Sequence, residues 1–170
     1  MQTCILCPGP SLANLAELPT CHTSIAVNRA ALRFGCDYWA ALDYQTFTRD
    51  EPNIKGNPLL FTRAEYRHKT HRDGLDVEDL FGLLPHTKIN WPLYSATAAM
   101  VLAAWLGAKR IDLYGCDWAL HQPDFDGNTP EHSRRDMSRW AAETVLYSRV
   151  VDWLNEHGTE VIRHGTTGRS

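Results

Sequence analysis

The chain has 170 residues, of which 44% are hydrophobic and 22% charged, with a formal net charge of −3, which is typical of one folded domain with a single core. The charge gives no indication of nucleic-acid binding, and no apolar run approaches the roughly 20 residues that a membrane span needs. The N-terminus lacks the features of a signal peptide and the five cysteines are scattered, so we expect buried, reduced thiols in a cytoplasmic protein rather than disulfides or a zinc site.

A short apolar strand over 3–7 opens the chain and runs directly into a glycine- and proline-containing turn at 8–11. A short helix is predicted next, over 13–18. A strand, a glycine turn and a helix start form the layout of a phosphate- or nucleotide-binding loop. An ordinary tight turn, in which Ser11 only caps the helix, explains the same residues equally well.

Two further strands are predicted over 24–28 and 37–43, and each ends in a polar residue, Asn28 or Asp43. A short helical piece at 29–34 separates them. Ligands of open α/β sheets bind beyond the carboxyl ends of the strands, so the repeated placement of polar residues there indicates a binding site. In the alternative interpretation, Asn28 and Asp43 merely cap the helices that follow them.

The middle of the chain is more polar. Residues 44–58 are turn-rich, and 59–62 reads as a fourth strand. The basic stretch 63–79 is expected to be an exposed, mobile loop, for which a solvated face is favoured over a phosphate-binding arm. One or two helical turns are predicted over 77–84, and a short strand over 88–91.

The clearest pattern is a helix followed by a strand in the second half of the chain. Ser95 is predicted to be the N-cap of a helix over 96–106, and Gly107 the left-handed residue that ends it. The helix is apolar nearly all round, which indicates burial on more than one side. A strand over 111–115 follows and leads to Asp117, which makes this strand end the first place to look for chemistry.

The last third of the chain begins with a loop at 119–130. Its DFDGN sequence lacks the full spacing of a calcium-binding loop, which excludes that reading. A long helix is predicted over 134–157, ended by Gly158, and a last strand over 160–163. Apolar residues at helical spacing are predicted to form the inner face of the helix: Ala142, Leu146, Val150, Trp153 and Leu154.

Strands that alternate with helices predict a single α/β domain over 1–170, with a mostly parallel, doubly wound, Rossmann-like sheet and helices on both faces. Three common signatures are absent from the sequence. The dinucleotide fingerprint GxGxxG, the P-loop lysine motif and the nucleophile elbow GxSxG are all missing. ATP cleavage by a P-loop is therefore excluded.

Taken together, the motifs resemble a family found in phages and bacteria. Their order and spacing are similar to those of the 6-hydroxymethyl-dihydropterin diphosphokinase-like proteins and of bacterial lipooligosaccharide sialyltransferases, which use CMP-sialic acid. The resemblance spans nearly the whole chain. The motifs that carry it are Gly9-Pro10-Ser11-Leu12, Val27-Asn28, Asp37 to Asp43, Tyr94-Ser95-Ala96, Leu106-Gly107-Ala108, Leu113 to Asp117 and His132-Ser133.

The resemblance implies roles for individual residues. Asp117 matches the aspartate of the family's GxD segment and His132 matches the general base that acts on the acceptor hydroxyl, so the resemblance implies that both are catalytic residues. The residues implied to bind the nucleotide are Gly9, Pro10, Ser11, Asn28, Ser95 and Ser133. The family usually has Asn before the loop glycine, where this chain has Pro8. Because proline has neither a side-chain amide nor an N–H, we expect one nucleotide contact to be lost or replaced.

The residues themselves suit these roles. Histidine titrates near neutrality, and His132 precedes a helix whose dipole favours the neutral, basic form. The amides of the first loop and the start of the Ser95 helix suit phosphate groups. Asp43 and Asp117 suit either Mg²⁺ on a diphosphate or ribose hydroxyls, or they cap helices.

Three functions remain open on these observations. The first is a glycosyltransferase that moves a sugar from a nucleotide sugar to a hydroxyl, with His132 as the base. The second is a Mg²⁺-dependent, diphosphokinase-like phosphotransferase with Asp43 and Asp117 as metal ligands. The third is a nucleotide-binding phage or bacterial accessory protein without turnover. Six tryptophans permit self-association through an apolar surface, or they belong to the core.

Overall fold

Parallel strands paired in one sheet form the centre of the molecule. The structure is a computed structural model that describes residues 1–83, 94–117, 123–128 and 137–165. Among these residues the strands are β1 (Gln2–Leu6), β2 (Thr23–Val27), β3 (Tyr38–Ala40), β4 (Leu59–Thr62), β5 (Gly74–Asp76), β6 (Arg110–Tyr114) and β7 (Glu160–Arg163). The seven strands lie in the order β5-β4-β3-β2-β1-β6-β7, and every pair is parallel. The predicted α/β, doubly wound sheet is confirmed.

Helices connect the strands. The α-helices are α1 (Tyr44–Asp50), α2 (Ala64–Arg67), α3 (Val77–Leu83), α4 (Ser95–Trp105) and α5 (Met137–Glu156), and the 3₁₀ helices are Pro10–Asn14, Asn28–Leu32 and Glu51–Asn53. Within the described residues, none of these helices combines the length and apolarity that crossing a membrane requires.

Both faces of the sheet are covered by apolar side chains. Successive side chains of each strand point to opposite faces, so each buried strand contributes to both. In β1, Ile5 faces the layer formed by α4 and α5, whereas Leu6 faces the 3₁₀ helices and α1. The seven consecutive residues 97–103 of α4 are all buried. This confirms the prediction that the helix is covered on more than one side, as a helix that is apolar all round requires.

The order of the strands reverses at β1. The chain places β2 to β5 successively on one side of β1 and then crosses back to place β6 and β7 on the other side. The carboxyl ends of β1 and β6 therefore flank the topological switch point, the position at which open α/β sheets hold their ligands.

The cap of α4 differs from the prediction. Tyr94, not Ser95, has the extended backbone of an N-cap, and no side chain caps the helix. Ser95 is the first helical residue, and the Thr97 hydroxyl donates to the Tyr94 carbonyl oxygen at 3.0 Å. The other end is as predicted. Gly107 has a φ of 92°, which makes it the left-handed residue that follows the helix.

Two predictions in the first third of the chain were wrong. The helix predicted at 13–18 is instead the 3₁₀ helix at Pro10–Asn14, in which Pro10 supplies a preset φ in the first turn and Leu12 is buried. The stretch predicted to be turn-rich contains α1, which packs on the sheet through buried Phe47.

The stretch 63–79, expected to be a basic loop, contains α2, strand β5 and the start of α3. Gly74 explains why the strand was missed. A Cβ at this position would overlap the backbone of Leu60 on β4, so only glycine allows the two strands to approach each other here. A strand of sequence Gly-Leu-Asp has almost no local β propensity and depends on its pairing with β4.

The inner face of α5 is largely as predicted. Leu146, Val150 and Leu154 are buried, but Ala142 is exposed and its neighbour Glu143 is buried instead. The buried positions follow the stripe i, i+3, i+7 and i+11 from residue 143, which excludes residue 142. The predicted strand at 88–91 lies outside the described residues.

All five cysteines are free thiols, and Cys4, Cys7 and Cys116 are buried as predicted, whereas Cys21 and Cys36 are only half-buried. The hydrogen bond with Cys116 and burial raise the pKa of Cys7 well above 9, and burial and Cys21 raise that of Cys4. Cys4 and Cys7 thus have different partners, as expected for positions three apart in a strand.

A buried carboxylate on β6 carries a concentration of hydrogen bonds. Asp112 is 1% exposed and accepts hydrogen bonds from Arg110 Nε at 2.9 Å, from Gln2 Nε2 at 2.8 Å and from His164 Nε2 at 2.6 Å. Burial opposes its ionisation, but these donors outweigh burial and lower its pKa to about 2.

We therefore expect the free energy of unfolding to fall as the pH drops through the carboxylate range. A carboxylate whose pKa is depressed in the folded state stabilises the fold above its unfolded pKa of about 3.9, and this stabilisation, about 2 kcal/mol, is lost towards pH 2. Urea unfolding between pH 2 and 7 measures it. Asp112→Asn should flatten the profile, whereas Asp152→Asn, on the exposed side of α5, should not. An unchanged slope in Asp112→Asn contradicts the assignment.

Candidate functional site

The candidate site is built where the loop after β1 meets the loop after β6. Gly9 N–H donates to the Gly115 carbonyl oxygen at 2.9 Å, and Cys7 N–H donates to the Tyr114 carbonyl oxygen at 2.7 Å. Ser11 N–H donates to Asp117 Oδ2 at 2.7 Å. These three hydrogen bonds fix the two loops to each other across the switch point.

Two glycines permit this close approach. A Cβ at Gly9 would lie 2.5 Å from Asp117 Oδ2 and would overlap the Gly115 carbonyl oxygen. Gly115 has a φ of 68°, and a Cβ there would overlap the Cys7 carbonyl oxygen. Neither position accepts a side chain without displacing backbone, so the loops have the close contact that only glycine allows.

Three polar atoms at this edge of the sheet are buried and have no hydrogen-bond partner among the described residues. They are Ser11 Oγ, Asn28 Oδ1 and Asp117 Oδ1. Since buried polar groups are nearly always paired with protein or ordered water, these three atoms are free to hydrogen-bond a ligand or water here. Thr3 Oγ1 and Arg33 Nε are also unpaired among these residues, whereas Arg29 Nε and Asp76 Oδ1 have ion-pair partners. The indication therefore comes from the grouping of three atoms without any partner at one edge.

Asn28, at the carboxyl end of β2, has a strained backbone. Its φ of 48° is positive, unlike that of any other non-glycine residue in the described part of the chain. For such a residue this conformation costs on the order of 1 kcal/mol. The Trp39 ring anchors the position, because its Nε1 donates to the Asn28 carbonyl oxygen at 2.9 Å. Such a conformation persists only where the surroundings hold it.

Loops from β6 and β7 complete the edge. Phe125 N–H donates to the Pro8 carbonyl oxygen at 2.9 Å, and its ring packs against the cluster that contains Leu6. A Cβ at Gly165, just after β7, would lie 3.4 Å from Ser11 Oγ. The first loop is therefore bordered by three other segments of the chain.

Two more of the predicted residues lie on the same edge. α4 leads into β6 and so runs antiparallel to the strands, which places its first residue, Ser95, at the carboxyl edge of the sheet. Asp43 follows β3 and is exposed. Its Oδ1 accepts a hydrogen bond from Gln45 N–H at 3.0 Å, so it caps α1, as the alternative interpretation predicted.

The structure thus brings Gly9, Pro10, Ser11 and Asp117 together and places Asn28 one strand away. The predicted base His132 and its neighbour Ser133 lie outside the described residues. No group of three or more metal-ligating side chains occurs within residues 1–83, 94–117, 123–128 and 137–165.

No protein-family model matches the chain, and no curated protein sequence matches it. Among solved structures, the chain is similar to the sialyltransferase CstII. A complex of CST-II with a trisaccharide acceptor and CMP gives a TM-score of 0.63 at 15% identity, covering 96% of this chain and 80% of that one. The Campylobacter jejuni enzyme with the substrate analogue CMP-3FNeuAc gives 0.59 at 16% identity, with the same coverage. At such low identity, the likeness shows a shared fold.

Proposed function

We propose that this protein is a nucleotide-dependent transferase that moves a glycosyl group from a nucleotide sugar, with CMP as its nucleotide, to a hydroxyl group. The observation that carries the proposal is the joined loop pair at the switch point, with the unpaired Asp117 Oδ1 and Ser11 Oγ beside it. The fold shared with CstII, whose solved complexes contain CMP, supports the choice of nucleotide.

Each group has a chemical role in this proposal. Asp117 Oδ2 is already occupied by Ser11 N–H, so Oδ1 is the oxygen left to accept a hydrogen bond from a ribose hydroxyl or a base amine. Asn28 Oδ1 accepts a second such bond, and the Ser11 hydroxyl donates to phosphate. α4 has no side-chain cap, so its first N–H groups favour an anion near Ser95.

The transfer step needs a base for the acceptor. In the proposed reaction the acceptor oxygen attacks the anomeric carbon, the bond from that carbon to the phosphate oxygen breaks, and CMP leaves. The hydroxyl proton passes to His132, which stays a prediction from the sequence. The histidine side chain suits this proton transfer because its ordinary pKa lies near neutrality.

The Mg²⁺-dependent alternative finds less support. Asp43 and Asp117 follow β3 and β6, which are three strand spacings apart in the sheet, or roughly 14 Å. Mg²⁺ binds its oxygen ligands at about 2.1 Å, so these two carboxylates do not reach one ion. Asp43 is also engaged as the cap of α1.

A thermal-shift panel tests the proposal. It contains CMP, CDP, UDP, GDP and ATP, each with and without Mg²⁺. We expect CMP to raise the Tm without metal, because a ligand at 100 times its Kd stabilises the folded state by about 2.7 kcal/mol. A shift with ATP and Mg²⁺ alone would favour the phosphotransferase. Binding of CMP without release of CMP from a CMP-sugar would favour the binding protein, and no shift at all would reject the proposal.

Asn28→Gly separates stability from function. Glycine adopts a φ of 48° without strain, so we expect the free energy of unfolding to be unchanged or to rise by up to about 1 kcal/mol. The same substitution removes Oδ1, so the affinity for CMP should fall by roughly tenfold. Urea unfolding and calorimetric titration of CMP measure the two effects. Unchanged CMP affinity in Asn28→Gly contradicts the role of this side chain.

A further inference from the structure

The Arg29 guanidinium, 12% exposed, lies among three carboxylates from two separate segments. Its Nη1 donates to Asp50 Oδ1 at 2.9 Å, its Nε lies 3.2 Å from Asp124 Oδ2, and its Nη2 donates to Asp126 Oδ2. One side of the guanidinium therefore contacts α1, and the other contacts the loop 123–128 that follows β6.

The contact of Arg29 with α1 is made to a carboxylate that is itself held in place. Asp50 is 3% exposed and is held by a second arginine, since Arg49 Nε and Nη2 each donate to its carboxylate at 2.9 Å. Because Asp50 is buried and is itself held by Arg49, it offers the Arg29 guanidinium an acceptor of fixed position. Arg29 is thus positioned from the scaffold side.

The contacts with Asp124 and Asp126 hold the loop 123–128 against Arg29. The loop forms a turn in which Asp124 N–H donates to the Asn128 carbonyl oxygen at 2.8 Å and Asn128 N–H donates to Asp126 Oδ1 at 3.1 Å. The loop has a second attachment, Phe125 N–H to the Pro8 carbonyl oxygen. Pro8 directly precedes Gly9, so the loop that Arg29 holds also supports the first loop.

Arg29 also directly follows Asn28, the residue with the strained φ. A fixed guanidinium restrains the backbone on which the Asn28 side chain is carried. The Arg29 side chain therefore connects the segment after β2 to the loop 123–128, and that loop in turn contacts the loop after β1 through Phe125 N–H.

We infer that Arg29 is a positioning residue that clamps the loop 123–128 onto the nucleotide-binding edge and thereby sets the affinity for the nucleotide. The inference rests on the proposed function. Without Arg29, Asp50, Asp124 and Asp126 would face one another with only Arg49 nearby, and their repulsion would drive the loop away from Pro8. Lysine does not replace arginine here, because one ammonium group does not contact both sides as a guanidinium fork does.

The test compares Asp126→Asn, Arg29→Lys and the matched control Arg49→Met by three measurements: Tm, CMP affinity by calorimetry, and amide hydrogen exchange of Phe125 without ligand. Asp126→Asn removes the charge of one of the two loop carboxylates that contact Arg29, at a side chain that is 32% exposed, so its Tm should change little. We expect Phe125 exchange to become about tenfold faster and CMP affinity to fall by about fivefold.

The other two variants complete the design. Arg29→Lys should affect exchange and affinity at least as much as Asp126→Asn, because one ammonium group does not contact both sides of the clamp. Arg49 contacts Asp50 but not the loop. Arg49→Met should therefore lower the Tm and leave Phe125 exchange and CMP affinity unchanged. If CMP binds the wild-type protein and Asp126→Asn alters neither affinity nor exchange, the clamp is rejected and the proposed function stands. If CMP does not bind at all, the proposed function is rejected, and Phe125 exchange alone decides for or against the clamp.

Discussion

Gly9→Ala should abolish CMP binding and lower the free energy of unfolding by about 1–3 kcal/mol, as overpacking at a tight contact does. The added Cβ would lie 2.5 Å from Asp117 Oδ2 and overlap the Gly115 carbonyl oxygen. The Gly115 carbonyl oxygen is a backbone atom that accepts a hydrogen bond from Gly9 N–H. The overlap is therefore relieved only if the two loops separate. Urea unfolding and calorimetric titration of CMP measure both losses.

Gly35→Ala is the matched control for this substitution. The nearest atom to a Cβ at Gly35 is the Lys55 carbonyl oxygen at 3.7 Å, an ordinary van der Waals contact. This variant should bind CMP and unfold much as the wild-type protein does. If Gly9→Ala behaves like Gly35→Ala, the close approach of the two loops is not a requirement of the site.

Asp117→Asn should weaken CMP binding by roughly 10- to 100-fold, the loss expected when a hydrogen bond to a charged acceptor is removed. The asparagine oxygen takes over the bond from Ser11 N–H, so the loops stay joined and the Tm changes little. The oxygen that faces the ligand becomes an amide N–H, which repels a hydrogen-bond donor. Thermal unfolding together with CMP titration separates these two results.

Asp37→Asn provides the comparison, since Asp37 Oδ2 accepts Ser24 N–H at 2.8 Å in the same kind of contact. Asp37 precedes β3 and so lies at the amino edge of the sheet, opposite the proposed site. We expect its substitution to leave CMP affinity unchanged. Equal CMP affinities for Asp117→Asn and the wild-type protein would remove Asp117 from the site.

Local sequence patterns predicted the sheet because most of its strands are short apolar runs bounded by turn residues. The bounds of β4 and β7 agree with the prediction to the residue. Gly107 was identifiable as the end of α4, since a glycine after an apolar helical run is typical of a left-handed C-terminal residue. These features are encoded within a few neighbouring residues.

Elements that depend on distant partners were not predictable in this way. β5 forms because Gly74 admits the backbone of β4, and α1 packs through Phe47 alone among polar neighbours. The cap of α4 was misassigned by one residue, because a serine next to a helix start satisfies the cap pattern whether it lies inside or outside the helix.

In the candidate site too, features encoded by neighbouring residues were predictable and features that depend on distant residues were not. Strand ends carrying Gly9, Asn28 and Asp117 were readable as one edge, since parallel strands place their carboxyl ends together. Arg29 was missed, although it follows Asn28 directly. Its partners Asp124 and Asp126 lie nearly a hundred residues away in a loop whose acidic pattern suggested only a calcium site. A pairing over that distance leaves no signal in a single sequence.

A CMP titration followed by two-dimensional amide NMR tests the location of the nucleotide site most directly. We expect the largest shifts at Gly9, Ser11, Asn28 and Gly115, with saturation in the absence of Mg²⁺. Shifts confined to the amino edge of the sheet, near Thr23 or Glu160, or no shifts at CMP concentrations up to several millimolar, would contradict a nucleotide site at the switch point.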